Sequence, residues 1–152
     1  RSTRAAFLGR RQTSKEMVFT TKMEFAPLND GEQAGLALIG STNSGTSTFV
    51  VRRETGGGRM LTLTQRDGTV VKTAVSSDTI YLRITCSGQY YTFGYSTNGG
   101  VSYNSLARVM SDSIILDPRF AGVYVGMWAS SGANGVNTGT SAYFDWASYV
   151  VN

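Results

Sequence analysis

The chain has no histidine, one cysteine and two prolines in 152 residues, and only 16% of it is charged. Each shortage excludes something. Without His there is no imidazole general base and no His-containing triad. A single thiol, Cys86, builds neither a disulfide framework nor a cysteine zinc site. It lies in phase with Leu82 and Ile84, which predicts a small buried apolar residue. The longest apolar run, around AGVYVGMWA, is far too short to span a bilayer. No segment keeps an amphipathic helical period for three turns. No signal peptide is visible and the first residue is not Met, so the chain is expected to be a processed product or a piece of something longer.

The net charge of +4 gathers at the start, in Arg1, Arg4, Arg10 and Arg11, and the remainder is balanced. A nucleic-acid binder spreads positive charge over a face or groove, so this distribution argues against nucleic acid as a partner.

What the chain does have is 18 glycines and abundant Ser and Thr between short β-rich segments. That pattern predicts one domain over residues 1–152, an all-β sandwich or barrel of about ten to twelve antiparallel strands. Phe19, Thr21, Met23 and Phe25 share one face of a long strand. Asp67-Gly68 opens a hairpin, and Asn98-Gly99 supplies the positive φ angles of a tight turn. The stretch 111–120 reads as a connector with one helical turn. The loop 130–141 reads as the most mobile part and the natural rim of a binding site.

The last third is the most informative. Val123, Val125 and Met127 alternate with Tyr124, Gly126 and Trp128. In the final strand Phe144 and Trp146 share a face, with Asp145 and Ala147 on the other. Period-two alternation buries one side of a strand and leaves the other to ligand or solvent. Aromatic faces stack on the C–H faces of sugar rings, while polar side chains bond the hydroxyls. Strand parity therefore offers Trp128, Tyr124, Tyr90, Arg83 and Tyr143 as sugar-binding residues. It assigns Tyr91, Phe93, Tyr95 and Trp146 to the core.

Several segments together, in order along nearly the whole chain, carry a resemblance: FLGRRQ (7–12), TTKMEFAP, EQAGLAL, YLRITCSGQYYTFGYSTNGG, FAGVYVGMWASSG and AYFDWASY. The chain resembles the C-terminal domain of glycoside hydrolase family 43 β-xylosidases and α-arabinofuranosidases. The resemblance implies a concanavalin A-like two-layer β-sandwich (a jelly roll), secreted, and ancillary to a catalytic β-propeller that this chain lacks. It implies xylan or arabinoxylan as the polysaccharide partner, and no membrane. Arg10, Arg11 and Gln12 become the interface to the propeller. The family's loop toward the catalytic pocket corresponds to residues 40–49, which carry no aromatic before Phe49.

No cofactor is required on this reading, and the resemblance brings with it a structural calcium as an optional ligand. Related sandwiches hold one with an Asp of the last strand and an early acid, which here would be Asp145 with Glu24 or Glu16. A salt bridge from Asp145 to a neighbouring strand is the competing expectation. The ten acids lie scattered, many in turns, and the Glu-x-Asp cluster of concanavalin A-like glucanases is missing. The expectation is thus a non-catalytic module that binds xylan or xylo-oligosaccharide and braces a hydrolase. The alternatives are a brace alone, or a small glycosidase with its own carboxylate pair.

Overall fold

The computed structural model describes residues 5–12, 16–40, 45–110, 124–130 and 142–151. These form eleven strands: β1 (Ala5–Arg11), β2 (Glu16–Phe25), β3 (Gln33–Ile39), β4 (Thr46–Arg53), β5 (Arg59–Thr64), β6 (Val70–Ala74), β7 (Thr79–Ser87), β8 (Tyr90–Ser96), β9 (Asn104–Met110), β10 (Tyr124–Ser130) and β11 (Ala142–Val151). They make a six-stranded sheet in the order β1-β10-β3-β4-β5-β6 and a five-stranded sheet in the order β11-β2-β7-β8-β9. All neighbours are antiparallel. The all-β sandwich expected from the alternation is what forms. The connector at 111–120, Val123 and most of the loop at 130–141 lie outside the described residues.

The inner faces pack as the two-residue period dictates. Phe19, Thr21, Met23 and Phe25 of β2 all point inward and are buried. So do Leu82, Ile84 and Cys86 of β7, and Tyr91 and Phe93 of β8, with Tyr95 packed against the same core. Phe49 of β4 meets Phe93 of β8 edge to face at 5.4 Å, joining the sheets through an aromatic pair. Such a pair adds about 0.5–1.5 kcal/mol beyond its buried area. The Tyr91 hydroxyl cannot reach water, so it donates to Gln12 Oε1 at 2.7 Å. Burial holds its pKa far above the ordinary tyrosine value.

One strand departs from strict alternation. Along the β11–β2 ladder Phe144 pairs with Met23 and Trp146 with Lys22, leaving Asp145 as an extra residue in a β-bulge. The bulge reverses parity. Phe144 before it and Tyr149 after it both pack on the core. Trp146, expected inside with Phe144, turns outward and is 44% exposed. The inward Thr21, fully buried, secures the bulge by donating from Oγ1 to the Trp146 carbonyl at 2.7 Å.

Candidate functional site

Turning Trp146 outward creates a groove of about 580 Å³ on the outer face of the five-stranded sheet. Its floor comes from alternate residues of three adjacent strands: Trp146, Ser148 and Val150 of β11, Val18 and Thr20 of β2, Tyr81 and Arg83 of β7. The volume lies within the range of saccharide-sized and other small-ligand sites. Trp146 and Tyr81 meet edge to face at 5.9 Å. Across the groove the Arg83 guanidinium lies 3.8 Å over the Tyr103 ring, and its Nε donates to Thr20 Oγ1 at 3.3 Å. Burial raises the Tyr103 pKa, and Arg83 opposes that rise by charge and hydrogen bonding.

The far wall is the β8–β9 turn, and its sequence explains its shape. Gly99 and Gly100 have φ of 80° and 82°, a region L residues rarely occupy. A Cβ on Gly100 would also sit 3.5 Å from the Tyr81 ring and 3.6 Å from the Tyr103 hydroxyl. Asn98 organises the loop. Its Oδ1 accepts from the Ser96 hydroxyl at 2.7 Å and the Ser102 amide at 3.1 Å, while its Nδ2 donates to Ser102 Oγ at 2.8 Å. The Gly100 amide donates to Ser96 Oγ at 3.0 Å. The wall is thus built by internal bonds and needs no ligand to hold it.

The five residues offered as sugar contacts do not converge. Parity is right for each, but they belong to opposite sides of the sandwich. Arg83, Tyr143 and Tyr90 sit on the outer face of the five-stranded sheet. Arg83 lines the groove; Tyr143, 65% exposed, stands beside Glu24 at the end of β11. Tyr90 is four residues along β8 from Gly94, the partner of Arg83, so about 13 Å away, and carries Arg108 over its ring at 3.9 Å. Tyr124 and half-buried Trp128 emerge from the six-stranded sheet instead. That face is covered at its centre: Ala37, Val50 and Thr62, all pointing away from the core, are buried. Trp128 therefore does not stand on an open platform. Tyr81, Tyr103 and Trp146 escaped the sequence reading. Tyr81 shares parity with Arg83 and could have been named from it, Tyr103 lies past a turn, and the bulge hid Trp146.

Among the described residues the acids have structural partners. Asp145 Oδ2 lies 3.3 Å from Lys22 Nζ, the cross-strand salt bridge, which raises the lysine pKa. The Asp145 carboxylate on the neighbouring strand raises the Glu24 pKa, since two acids side by side resist both being ionised. Of the two partners considered for a calcium at Asp145, Glu24 lies beside it on β2 and Glu16 does not. Glu16 is eight residues from Glu24 along β2, about 26 Å, where its Oε1 accepts from the Gly88 amide. A lysine ammonium already occupies the cation's place at Asp145. Among the described residues no three His, Cys, Asp or Glu side chains gather as metal ligands. Of the other acids, Asp30 pairs with Arg53, Glu54 with Lys72 and Asp78 with Arg59. Buried Glu32 accepts from the Leu28 and Asn29 amides at 2.8 Å, and Asp67 accepts from the Thr69 amide. None lines the groove.

Of the residues expected at a domain interface, Gln12 is buried at 2% and serves Tyr91 inside the fold, because the tyrosine hydroxyl there needs an acceptor. Arg10 and Arg11 are exposed. Arg10 lies 4.0 Å over the Tyr149 ring, at a smaller hollow of about 220 Å³ between the edge strands β1 and β11.

Comparison with known proteins agrees with this architecture. The chain is 27% identical over 146 residues to a non-reducing end α-L-arabinofuranosidase of Bacteroides ovatus, a match covering 93% of this chain and 27% of that protein. A glycoside hydrolase family 43 protein of Bacillus licheniformis superposes with a TM-score of 0.77 at 24% identity, over 97% of this chain and 30% of the other. A xylan β-1,4-xylosidase of Bacillus halodurans gives a TM-score of 0.73 at 20% identity, over 94% and 29%. The chain thus spans under a third of the length of these proteins. Residues 1–150 match the family described as the β-xylosidase C-terminal concanavalin A-like domain. With that match over almost its whole length, the chain belongs to the concanavalin A-like C-terminal domains of glycoside hydrolase family 43.

Proposed function

We propose that the domain is a non-catalytic module of a xylan-degrading hydrolase, which binds xylan or xylo-oligosaccharide in the Trp146 groove while bracing a β-propeller catalytic domain. The observation that carries this reading is the pairing of Trp146 and Tyr81 on an open, prebuilt surface lined by hydroxyls and one guanidinium. Rings supply stacking area and the polar groups supply orientation. Its openness fits a polymer passing through rather than a small molecule enclosed. The non-catalytic character is supported by the acids. Asp145 is paired with Lys22, and no described carboxylate lines the groove, whereas a glycosidase needs two flanking the sugar. The exposed Arg10 and Arg11 suit the bracing role, facing acids of the propeller. On this reading the protein works outside the cell, where its polysaccharide is.

Affinity electrophoresis in soluble xylan tests it. Retardation that disappears in Trp146→Ala and persists in Trp128→Ala is the expected result. Unchanged mobility in every glycan would leave only the bracing role. Product release from xylan or aryl glycosides by the purified chain would overturn the non-catalytic assignment.

A further inference from the structure

Among the described residues, no anion answers the cation in the groove. Arg83 is half-buried, yet among the described residues no carboxylate lies within ion-pair distance of it. Lys22, Arg53 and Arg59, at comparable depth, each have an aspartate. Arg10 and Arg108 also stack on tyrosines without a carboxylate, but both are exposed to water. A charge partly withdrawn from solvent and left without its opposite is unfavourable unless a ligand completes it.

The side chain is also held ready. Stacking on Tyr103 sets the plane of the guanidinium, and the bond from Nε to Thr20 fixes its rotation. The terminal nitrogens of such a fork match the two oxygens of a carboxylate, a geometry lysine does not offer. We propose that the groove takes a carboxylate-bearing saccharide: a uronic-acid unit on a xylan-type chain, its carboxylate on Arg83 and the sugar rings against Trp146 and Tyr81. The inference rests on the reading of the groove as a sugar site, and adds to it a charge requirement.

The test is calorimetric titration of the 152-residue chain with three ligands: neutral xylo-oligosaccharide, the same oligosaccharide carrying a glucuronic acid branch, and oligogalacturonide. The branched ligand should bind at least about tenfold more tightly than the neutral one, as charged hydrogen bonds allow. That advantage should shrink as salt rises from about 0.05 to about 0.5 M. Arg83→Gln should abolish it, bringing the affinities for branched and neutral ligands together, while Arg83→Lys should keep part of it. An unchanged melting midpoint in the lysine variant guards against misfolding. Equal affinity for neutral and branched ligands would overturn the charge requirement but not the groove. Absence of binding by all three would overturn both. A preference surviving Arg83→Gln would also refute the role given to Arg83. Oligogalacturonide binding as tightly as the branched xylan would overturn the xylan-type backbone.

Discussion

Removing Asp145 should straighten β11 and leave Trp146 on the outer face. The residue is the one extra member of the β11–β2 ladder, so its deletion makes Phe144 opposite Met23 and Trp146 opposite Lys22 consecutive pairs of a regular ladder. Phe144 and Tyr149 keep their places against the core. The deletion removes the part-exposed salt bridge from Asp145 to Lys22, a small loss for a pair open to water. It also removes the bulge geometry that lets buried Thr21 bond the Trp146 carbonyl, about 1–2 kcal/mol. Together the penalty is about 1–3 kcal/mol, a drop in melting midpoint of roughly 2–12 °C for a domain of this size. Calorimetry reads the midpoint. Tryptophan emission in a Trp128→Phe background reads the setting of residue 146, and should stay that of an exposed indole. Emission shifted to that of a buried indole, or a midpoint more than about 15 °C below the parent, would refute the account of the bulge.

Two further outcomes follow from buried and paired groups. Tyr91→Phe removes the donor that serves Gln12 inside the fold and should cost about 1–2 kcal/mol, lowering the midpoint by about 2–8 °C without affecting glycan binding. Glu24 has a folded pKa above its unfolded one, so the native state holds the extra proton and its stabilising contribution is lost as pH rises through the raised value. Glu24→Gln should therefore gain on the parent as pH climbs through that window; a constant difference in urea midpoint across the range would contradict the raised Glu24 pKa.

Most of the sandwich was legible because burial on one side of a strand writes itself into every second residue. Phe19, Thr21, Met23 and Phe25, or Leu82, Ile84 and Cys86, could be placed inward without any structure. Parity also sent Tyr124, Trp128, Arg83 and Tyr143 outward correctly. What parity does not encode is which of the two outer faces a strand contributes to, since sheet order depends on long-range pairing. Hence a set of residues that looked like one site divides between β10 and the five-stranded sheet. Nor does it register an inserted residue. The Phe144-Asp145-Trp146 run reads as plain alternation, and only the ladder reveals that both rings point to different sides. Gln12 escaped for a third reason: the hydroxyl that draws it inside belongs to Tyr91, far away in the chain.

The kink at Asp145 also bears on how copies of the protein avoid one another. Among the described strands β11 borders its sheet, is ten residues long and ends in exposed Val150 and Val151. A straight, apolar rim of that length invites a second chain to dock edge-on and begin a fibril. The bend and the charge at its middle interrupt the register such a visitor would need, so solubility and the shape of the groove depend on the same misfit residue.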